Sequence, residues 1–434
     1  MNTRTQEQTL VISPSKTIKP SLKPSLPANK SEQLRALLFA LMAQGSSTIQ
    51  HVSHTQDVAT FLSFCDNCKI RYSWSTPSTL TIEGTCGLIP TAKEIINIGN
   101  SGILLRFLTP LMALNSRPTS FMGDESMACL RPMNQQIEAL SQLGSQTHYH
   151  QQPGHTPFSI QGPLTQGHCH LRATDSQYLS GLIYAACFRN TTTTFTLSNL
   201  CEHSYVQLTL DWLTKLGIHY TLHPWSSLTI HGRPPIHGFN HSLPYDLGSA
   251  LFLMTYTLLH QQALKLPNVL PHPEENVLQH LQRMGAQLNI QPQSLCLLPS
   301  PPLQGIRANL NNDIDSLTSL AVLATQASSP SFFTGIKSAE YKECNRPEKL
   351  VEELTKMQAK ITYTNNTLTI YPSQLRGANL NGHKDHRMVM ALFLAASIAE
   401  GSSTINNTSW VNKSYPNFFT DIKKLGGIWW PLSS

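Results

Sequence analysis

The chain has 434 residues, of which 40% are hydrophobic and 13% charged, with a formal net charge of +6. No apolar run reaches the ~18 residues of a membrane-spanning helix, which excludes a membrane protein, and the lack of a polybasic run disfavours nucleic acid as a partner. The mild basic excess suits anionic small molecules. The nine cysteines are scattered and no secretory signal precedes them, so we expect reduced thiols in the cytoplasm.

The N-terminal segment carries a short apolar run, Leu10–Ser13, which predicts an edge strand. Its few acids and its Ser and Thr content also fit a transit peptide, which we consider the weaker hypothesis. An extended connector is predicted at residues 18–27, because three closely spaced prolines each bias the preceding residue away from helix.

One pattern then recurs six times at a spacing of about 70 residues. Each copy has an apolar helix, an extended run, a second amphipathic helix that ends near Leu-Gly, and a strand–turn–strand. The predicted first helices and extended runs are residues 34–43 and 46–49, 104–114 and 119–122, 178–187 and 191–197, 249–259 and 263–269, 317–327 and 331–334, and 388–399 and 402–405. The second helices are predicted to end at 143–144, 216–217, 284–285, 357–358 and 425–426, and a degenerate first copy at 65–68. Both helices of such a unit need the same sheet to bury their apolar stripes.

The six repeats predict an α/β fold of two lobes with three repeats each. A second break at residues 242–246 is similar to the first connector, and we place the two crossings between lobes at these points. Lobe one then comprises residues 1–28 and 245–434, and lobe two comprises residues 29–244. Two adjacent crossings form a hinge, and a cleft between lobes is where ligands usually bind.

Polar and basic residues stand at the predicted helix starts. Lys30 and Ser31 precede the first helix, with Arg35 one turn further, and Ser31 is a suitable N-cap. Free backbone amides there favour an anion, although plain capping with a solvated lysine explains the residues equally well. Residues 99–102, Gly-Asn-Ser-Gly, precede Arg106 and let backbone amides approach a ligand closely, a pattern that many α/β turns share.

Similar residues precede later helices. Arg131 comes before a helix with Pro132 at its first turn, and residues 175–177, Asp-Ser-Gln, open the third repeat, where ordinary capping is the alternative. Residues 342–346, Lys-Glu-Cys-Asn-Arg, place two cations and one acid at a helix that we predict to begin at Pro347. They indicate an anion site with an acid/base group, with a solvated charged loop as the alternative.

Charged residues also precede the apolar helices of the last two repeats. Residues 384–387, Lys-Asp-His-Arg, stand before a helix that is almost wholly apolar, which indicates that they contact a ligand. Lys413 precedes the last helix. Asp315 precedes the fifth apolar helix, where an N-cap carboxylate is the simpler interpretation.

Two patterns suggest a metal only weakly. Cys65 and Cys68 form a single CxxC without a matched second pair, which is poor support for zinc. His168-Cys169-His170 alternates as a strand does, with both histidines on one face. We therefore expect no structural metal.

Taken together, these positions resemble the 5-enolpyruvylshikimate-3-phosphate synthase family of enolpyruvyl transferases over essentially the whole chain. Eight motifs occur in the family's order, which is far more specific than any one of them. They are Lys30-Ser31 with Arg35, Gly99-Asn100-Ser101-Gly102 with Arg106, Arg131-Pro132-Met133, Ser176-Gln177, Asp315-Ser316-Leu317, Lys342-Glu343-Cys344-Asn345-Arg346, Asp385-His386-Arg387-Met388 and Lys413-Ser414-Tyr415-Pro416. Asp175, Asn345 and the Gly-Asn-Ser-Gly-Ile turn resemble the chlamydial branch.

The resemblance implies two lobes of three βαβαββ units each, an inside-out α/β barrel, closing on the substrates. It implies transfer of the enolpyruvyl group of phosphoenolpyruvate to the 5-hydroxyl of shikimate 3-phosphate, releasing phosphate, by addition and elimination in an interdomain cleft. This reaction belongs to the shikimate pathway to chorismate and aromatic amino acids. No metal, organic cofactor, nucleic acid or membrane is implied, and we expect a cytoplasmic monomer.

Both substrates are anionic, and Arg and Lys suit their carboxylates and phosphates. The resemblance implies that phosphoenolpyruvate is bound by Lys30, Asn100, Gly102, Arg131, Gln177, Arg346, Arg387 and Lys413. It implies that shikimate 3-phosphate is bound by Lys30, Ser31, Arg35, Ser176, Gln177, Tyr205, Asp315 and Lys342. The implied catalytic residues are Lys30, Glu343 as the acid that protonates the methylene carbon, and Asp315 as the base that takes the hydroxyl proton.

Four residues depart from the family's pattern. Ala28 and Tyr245 stand where the family usually has glycine, and Pro347 directly follows the site residue at 346. Glu202 stands where some members have a serine that contacts the shikimate phosphate, and a carboxylate repels that group. We expect activity with weak substrate affinity.

Three alternatives stay open on the sequence alone. UDP-N-acetylglucosamine enolpyruvyl transferase uses the same donor but fits the Lys-Ser, Ser-Gln and Asp-His-Arg motifs less well. A non-catalytic α/β repeat protein that binds an anionic polymer predicts a continuous basic surface, whereas the cations here stand beside carboxylates. A drifted homologue that binds shikimate 3-phosphate without turnover is disfavoured because Asp315 and Glu343 are retained.

Overall fold

The computed structural model describes residues 8–15, 24–232, 235–269, 272–291 and 294–432. The chain divides into two compact units, one of Met1–Asn29 with Pro244–Ser434 and the other of Lys30–Leu243. Within the described ranges, every helix is too short or too polar to cross a membrane.

The first described element is strand β1 (Leu10–Ser13). The unit Lys30–Leu243 then follows the predicted order of elements three times. Its elements are α1 (Lys30–Met42), β2 (Ser46–Gln50), α2 (Gln56–Asn67), β3 (Tyr72–Thr76), β4 (Thr79–Glu83), β5 (Ile96–Asn97), α3 (Gly102–Met112), β6 (Thr119–Met122), α4 (Glu125–Cys129), α5 (Asn134–Gln142), β7 (Gln146–Tyr149), β8 (Phe158–Gln161), β9 (His168–Arg172), α6 (Ser176–Cys187), β10 (Thr193–Ser198), α7 (His203–Lys215), β11 (Tyr220–His223), β12 (Ser227–Ile230) and β13 (Asn240–Ser242).

The other unit repeats the same order and adds short 3-10 segments at Ile314–Ser316, Lys337–Tyr341 and Thr408–Lys413. Its further elements are α8 (Leu247–Leu259), β14 (Leu264–Pro267), α9 (Asn276–Arg283), β15 (Gln287–Gln291), β16 (Ser294–Leu298), β17 (Arg307–Asn309), α10 (Leu317–Thr325), β18 (Ser331–Thr334), α11 (Arg346–Lys356), β19 (Lys360–Thr364), β20 (Thr367–Tyr371), β21 (Asn379–Asn381), α12 (His386–Ala396), β22 (Ser403–Asn406), α13 (Phe418–Lys424) and β23 (Ile428–Pro431).

Five of the six sheets share one strand order: a parallel pair followed by two antiparallel strands. They are β13-β2-β4-β3, β5-β6-β8-β7, β9-β10-β12-β11, β17-β18-β20-β19 and β21-β22-β1-β23. The remaining sheet has the order β14-β16-β15 within the described part of the chain. In these five sheets, the strand that follows the first, buried helix of its repeat (β2, β6, β10, β18 or β22) is an interior strand.

The N-terminal strand β1 is an interior strand of its sheet. Leu10 lies opposite Ile405 of β22 on one side and opposite Pro431 of β23 on the other, in antiparallel pairs. The prediction of a strand at Leu10–Ser13 is confirmed, but the prediction of an edge strand is wrong. The reason is visible in the burial of Leu10, Val11 and Ile12, because an unbroken apolar run suits a strand that is covered on both faces.

All six second helices end in the same way. The residue after the C-cap has a positive φ in each case, and these residues are Lys69, Gly144, Gly217, Gly285, Gln358 and Gly426. The next backbone N–H then donates to a carbonyl five residues earlier, as Ser145 does to Leu140 at 3.0 Å. This is the Schellman motif, which satisfies the last carbonyls of a helix. The first and fifth copies form this motif with Lys69 and Gln358, where the other four copies have glycine.

The first helix of each repeat supplies the core of its unit. Phe39 of α1, Tyr184 of α6 and Phe107 of α3 pack together, with ring centroids 4.4 and 5.2 Å apart. In the other unit α8, α10 and α12 contact one another pairwise. Burying these apolar helices fixes where their N-termini lie, and the polar motifs stand at those N-termini.

Candidate active site

Charged side chains stand at the N-termini of α10, α11 and α12 in the unit that contains residues 244–432. Arg346 is the first residue of α11, Asp385 is the N-cap of α12, and Asp315 lies in the 3-10 segment before α10. The simpler interpretation of Asp315 as an N-cap is wrong, because its carboxylate accepts no capping bond and binds two arginines instead. Exposed backbone N–H groups at such N-termini favour anions.

The guanidinium of Arg346 joins three carboxylates. Nε donates to Asp385 Oδ2 at 2.8 Å, Nη1 to Asp315 Oδ1 at 2.7 Å and Nη2 to Glu343 Oε2 at 2.9 Å. Burial alone lowers the pKa of Arg346, but the three carboxylates outweigh burial and raise the pKa well above its ordinary value. Arg346 is therefore a fixed cation that contacts both predicted acid/base residues. Helix α11 begins at Arg346, one residue before the predicted start at Pro347.

Asp315 binds a second arginine. Arg387 donates from Nη2 to Asp315 Oδ2 at 3.0 Å and from Nη1 to the Asp315 backbone carbonyl at 3.2 Å. Burial raises the pKa of Asp315, but the charges of Arg387, Lys342 and Arg346 oppose it and hold the pKa well below its ordinary value. An ionised carboxylate is the form that a general base requires.

Glu343 is likewise held by cations. Lys413 donates from Nζ to Glu343 Oε1 at 2.6 Å, and both side chains are buried. Nδ1 of His386 lies 3.9 Å from the same oxygen. The structure thus brings together Asp315, Lys342, Glu343, Arg346, Arg387 and Lys413, the site residues predicted in this half of the chain.

The other unit holds the second predicted set, beginning at α1. Lys30 is the first residue of that helix and its Nζ lies 3.1 Å from Asp57 Oδ2. The prediction that Ser31 is the N-cap is wrong, because the helix already includes it and its backbone carbonyl accepts from Arg35 at 3.0 Å. Arg35 is fully buried and also donates to Thr209 Oγ1 at 2.8 Å.

Arg35 extends to α6 and α7. Its Nη2 donates to Ser180 Oγ at 3.2 Å and to the backbone carbonyl of Tyr205 at 2.9 Å. The guanidinium therefore ties the first turn of α7, where Tyr205 lies, to α1. Predicted residues Ser31, Arg35 and Tyr205 are brought together by these contacts.

The glycine-rich turn lies beside two arginines. A Cβ placed on Gly102 would be 2.7 Å from Nη1 of Arg131 and 3.5 Å from Nη1 of Arg106. Arg131 donates to the backbone carbonyl of Asn100 at 3.2 Å, and Arg106 donates to Gln177 Oε1 at 2.9 Å. Contacts of Arg131 and Arg106 thus join Asn100, Gly102 and Gln177 into one cluster.

Two acids contact the N-terminus of α6: Asp175 from the helix itself and Glu202 from the start of α7. Asp175 is the N-cap and accepts from the backbone N–H of Gln177 at 2.8 Å, while its other oxygen lies 2.9 Å from Arg106. Ser176 donates from its hydroxyl to Glu202 Oε2 at 2.7 Å, and both are buried. Capping and ion pairing are both present at this N-terminus.

Sequence reasoning did not assign a role to Asp385, Arg106 or Glu274. Asp385 and Arg106 stand inside quoted motifs, so their position was a usable signal for their contacts. Glu274 is buried and its Oε1 accepts from the backbone N–H of Asp315 at 3.1 Å. Glu274 stands in none of the recognised motifs and lies 41 positions before Asp315 in the sequence, so no local pattern indicated this contact.

Two sets of side chains are candidate metal ligands. Glu352, Glu353 and His383 have ligand atoms close together, but Lys356 Nζ already lies 2.8 Å from Glu353 Oε1, so the acids have a protein cation as partner. Burial raises the pKa of Cys68 to about 12, and a thiol that keeps its proton is a poor metal ligand. The alternation of residues 168–170 is confirmed, because His168 and His170 are exposed and Cys169 is buried on strand β9.

The fold is that of the enolpyruvyl transferases. The structure of EPSP synthase from Acinetobacter baumannii matches with a TM-score of 0.82 at 22% identity, covering 98% of this chain and all of that chain. The enolpyruvyl transferase NikO from Streptomyces tendae matches with a TM-score of 0.78 at 16% identity, over 99% of both chains. Identities this low establish the fold alone.

Sequence similarity establishes more than the fold. The 3-phosphoshikimate 1-carboxyvinyltransferases of Chlamydia trachomatis serovar L2 and Chlamydia muridarum are each 35% identical to the chain. For the serovar L2 protein the match spans 418 residues, which is 95% of this chain and 93% of that protein. The family model for EPSP synthase (3-phosphoshikimate 1-carboxyvinyltransferase) matches residues 13–422.

The chain belongs to the EPSP synthase family, which confirms the predicted family and fold class. It is a transferase of the shikimate pathway, and the family's reaction moves the enolpyruvyl group from phosphoenolpyruvate to shikimate 3-phosphate.

Proposed function

We propose that Asp315 is the general base and Glu343 the general acid of enolpyruvyl transfer in this chain. One observation carries the proposal: the buried guanidinium of Arg346 bonds to both carboxylates, at 2.7 Å to Asp315 and 2.9 Å to Glu343. Two acids placed around one cation, with different further partners, are suited to opposite proton-transfer roles.

The proton transfers follow from these roles. Asp315 accepts the proton of the 5-hydroxyl of shikimate 3-phosphate as that oxygen bonds to the enol carbon of phosphoenolpyruvate. Glu343 gives a proton to the methylene carbon, which becomes a methyl group. In the elimination the Glu343 carboxylate takes a proton back from this methyl group as the bond between carbon and the phosphate oxygen breaks, which restores the carbon–carbon double bond in the product. The proton held by Asp315 leaves with the phosphate, so both acids return to their starting states.

We propose that cations from both units neutralise the substrates, whose phosphates and carboxylates need several positive charges. The groups assigned to phosphoenolpyruvate are Lys30, Asn100, Gly102, Arg131, Gln177, Arg346, Arg387 and Lys413. The groups assigned to shikimate 3-phosphate are Lys30, Ser31, Arg35, Ser176, Gln177, Tyr205, Asp315 and Lys342. The assignments are supported by the clustering of these residues within each unit, at helix N-termini where anions are favoured.

We further propose that the two units act as the two lobes of the enzyme and that it works as a cytoplasmic monomer. All nine cysteines are unpaired, which suits a reducing compartment.

The test measures phosphate release with each substrate alone and with both together. We expect release only with both, and its loss in Asp315→Asn and Glu343→Gln. The control is Glu348→Gln, which removes an exposed carboxylate from the first turn of α11. Binding of shikimate 3-phosphate by calorimetry without any release would identify a drifted homologue and overturn the proposal.

A further inference from the structure

We propose that Glu274 is a positioning residue for Asp315 and Arg387, holding the base and a donor-binding arginine in their working arrangement. The inference rests on the proposed function of those two residues. Glu274 lies in the turn between β14 and α9, and its side chain reaches the 3-10 segment that carries the base.

The first contact is a hydrogen bond to the backbone of the base. The N–H of Asp315 donates to Glu274 Oε1 at 3.1 Å. Asp315 is therefore fixed from two directions, by two arginines at its carboxylate and by Glu274 at its backbone. Because this contact is with the backbone of Asp315, Glu274 acts on the base through its neighbour and is a positioning residue.

The turn that carries Glu274 is itself tied to α8. The backbone N–H of Glu274 donates to Nδ1 of His272 at 3.0 Å, so the ring proton is on Nε2, which lies 3.2 Å from Asp246 Oδ1. Asp246 is the N-cap of α8 and accepts from the backbone N–H of Ser249 at 2.8 Å. This chain of contacts fixes Glu274 against a buried helix, which gives it the rigidity that positioning requires.

Glu274 also shares the surroundings of Arg387. Asp315, Glu274 and Asp246 each raise the pKa of Arg387 against burial, so three carboxyl groups lie near one guanidinium. Burial, together with the charge of Asp315, raises the pKa of Glu274 well above its ordinary value. The titratable and charged groups that face it are His272 from its own turn, Asp313 and Asp315 from the 3-10 segment, Arg387 from α12 and Asp246 at the start of α8.

A neutral Glu274 and an ionised Asp315 give this pair opposite protonation states. While Glu274 keeps its proton, Arg387 is shared among fewer negative charges and can attract an anionic donor. Once the pH rises through the raised pKa of Glu274, its charge competes for Arg387. The KM for phosphoenolpyruvate should therefore rise with pH more steeply than it does without this acid.

The test compares the wild type, Glu274→Gln and Glu274→Ala in the complete chain. Gln keeps the oxygen that accepts from Asp315 but cannot ionise, so we expect near wild-type kcat at neutral pH. Ala removes the backbone contact, and we expect kcat to fall by about 10-fold to 100-fold, as for other supporting partners of a site. The control is Glu275→Gln, which removes an exposed carboxylate from the same turn.

The pH readout separates positioning from a merely structural role. Between about pH 6 and about pH 9, we expect the wild-type KM for phosphoenolpyruvate to rise relative to that of Glu274→Gln, while Glu275→Gln follows the wild type. Parallel KM profiles for wild type and Glu274→Gln, or an unchanged kcat in Glu274→Ala, would overturn the proposal. If Glu274→Ala does not fold, the KM profile of Glu274→Gln still tests the proposal.

A thermal readout does not depend on activity. A buried acid with a raised pKa stabilises the folded state while it keeps its proton and loses that stabilisation as pH rises toward the folded pKa. The Tm of the wild type should thus fall relative to that of Glu274→Gln over the same pH range. If the wild type releases no phosphate, the proposed function fails, whereas a constant Tm difference would overturn the role of Glu274.

Discussion

Lys413 Nζ lies 2.6 Å from Glu343 Oε1, with both side chains buried. A lysine at this distance forms a charge-assisted hydrogen bond with the carboxyl group of Glu343. A general acid needs a proton, so the pair must change when the reactants arrive. On the proposed roles, we expect the phosphate or carboxylate of phosphoenolpyruvate to compete with Glu343 for Lys413, so that donor binding is coupled to protonation of the acid.

Glu343→Gln tests this coupling. Gln keeps only one of the two oxygens that accept from Lys413 and Arg346, and it cannot deliver a proton to carbon. We expect kcat to fall by about 10²- to 10⁴-fold, the usual contribution of a general acid, with little change in the KM for shikimate 3-phosphate. Steady-state phosphate release measures both constants. A kcat within about threefold of wild type would show that another group is the acid.

The low pKa of Asp315 predicts a pH-dependent contribution to stability. Burial acts to raise the pKa, but Arg387, Lys342 and Arg346 hold it well below its ordinary value. An acid of this kind stabilises the fold above its unfolded pKa of about 3.9, and the stabilisation is lost as pH falls through the folded value. We expect the Tm advantage of wild type over Asp315→Asn to shrink below about pH 4, as calorimetry would show. An advantage that stays constant from about pH 3 to about pH 6 contradicts the ion pairs.

Gly102→Ala tests the arginines at the glycine-rich turn. The new Cβ would lie 2.7 Å from Arg131 Nη1, which is closer than packed atoms tolerate, so the guanidinium must shift. We expect the KM for phosphoenolpyruvate to rise by about tenfold or more, because the arginine assigned to the donor has moved, and the KM for shikimate 3-phosphate to change less.

The control for this substitution is Ser101→Ala. Its buried hydroxyl has no hydrogen-bond partner in the described part of the chain, and its removal places no atom near Arg131. If both variants change the two KM values equally, the effect belongs to the turn as a whole and Arg131 is not assigned to the donor.

Much of the fold was predictable because its repeats leave local signals. The predicted runs at residues 119–122 and 331–334 coincide with the strands Thr119–Met122 and Ser331–Thr334, and the predicted Leu-Gly ends of the second helices coincide with residues of positive φ. The interior position of β1 was not predictable. It depends on pairing with β22, almost 400 residues away, and no local pattern distinguishes that partner.

The site was predictable only where its residues stand at helix starts. Arg346 and Arg387 follow recognisable motifs, and the structure joins both to Asp315. Glu274 accepts a hydrogen bond from the backbone N–H of Asp315 and lies in a turn that contains none of these motifs. Nothing in the sequence therefore pointed to it. Which hydroxyl pairs with Glu202 was equally hidden, since that contact arises only when α6 and α7 pack together.

Glu202→Gln tests whether the carboxylate at the α7 N-terminus weakens acceptor binding. Glu202 is buried and accepts from Ser176 at 2.7 Å, and Ser176 is assigned to shikimate 3-phosphate. Gln preserves an acceptor for the hydroxyl but removes a charge that repels an anion. We expect the KM for shikimate 3-phosphate to fall by about fivefold, equivalent to about 1 kcal/mol, with the KM for phosphoenolpyruvate unchanged.

The matched control for Glu202 is Asp211→Asn, which neutralises an exposed carboxylate on the same helix, α7. It removes the same unit of charge far from the proposed contact, so long-range electrostatics alone would make both variants alike. A rise in the KM for shikimate 3-phosphate in Glu202→Gln, with Asp211→Asn unchanged, would contradict repulsion. It would mean instead that the charged hydrogen bond to Ser176 holds that hydroxyl in its binding position, because a neutral acceptor forms the weaker bond.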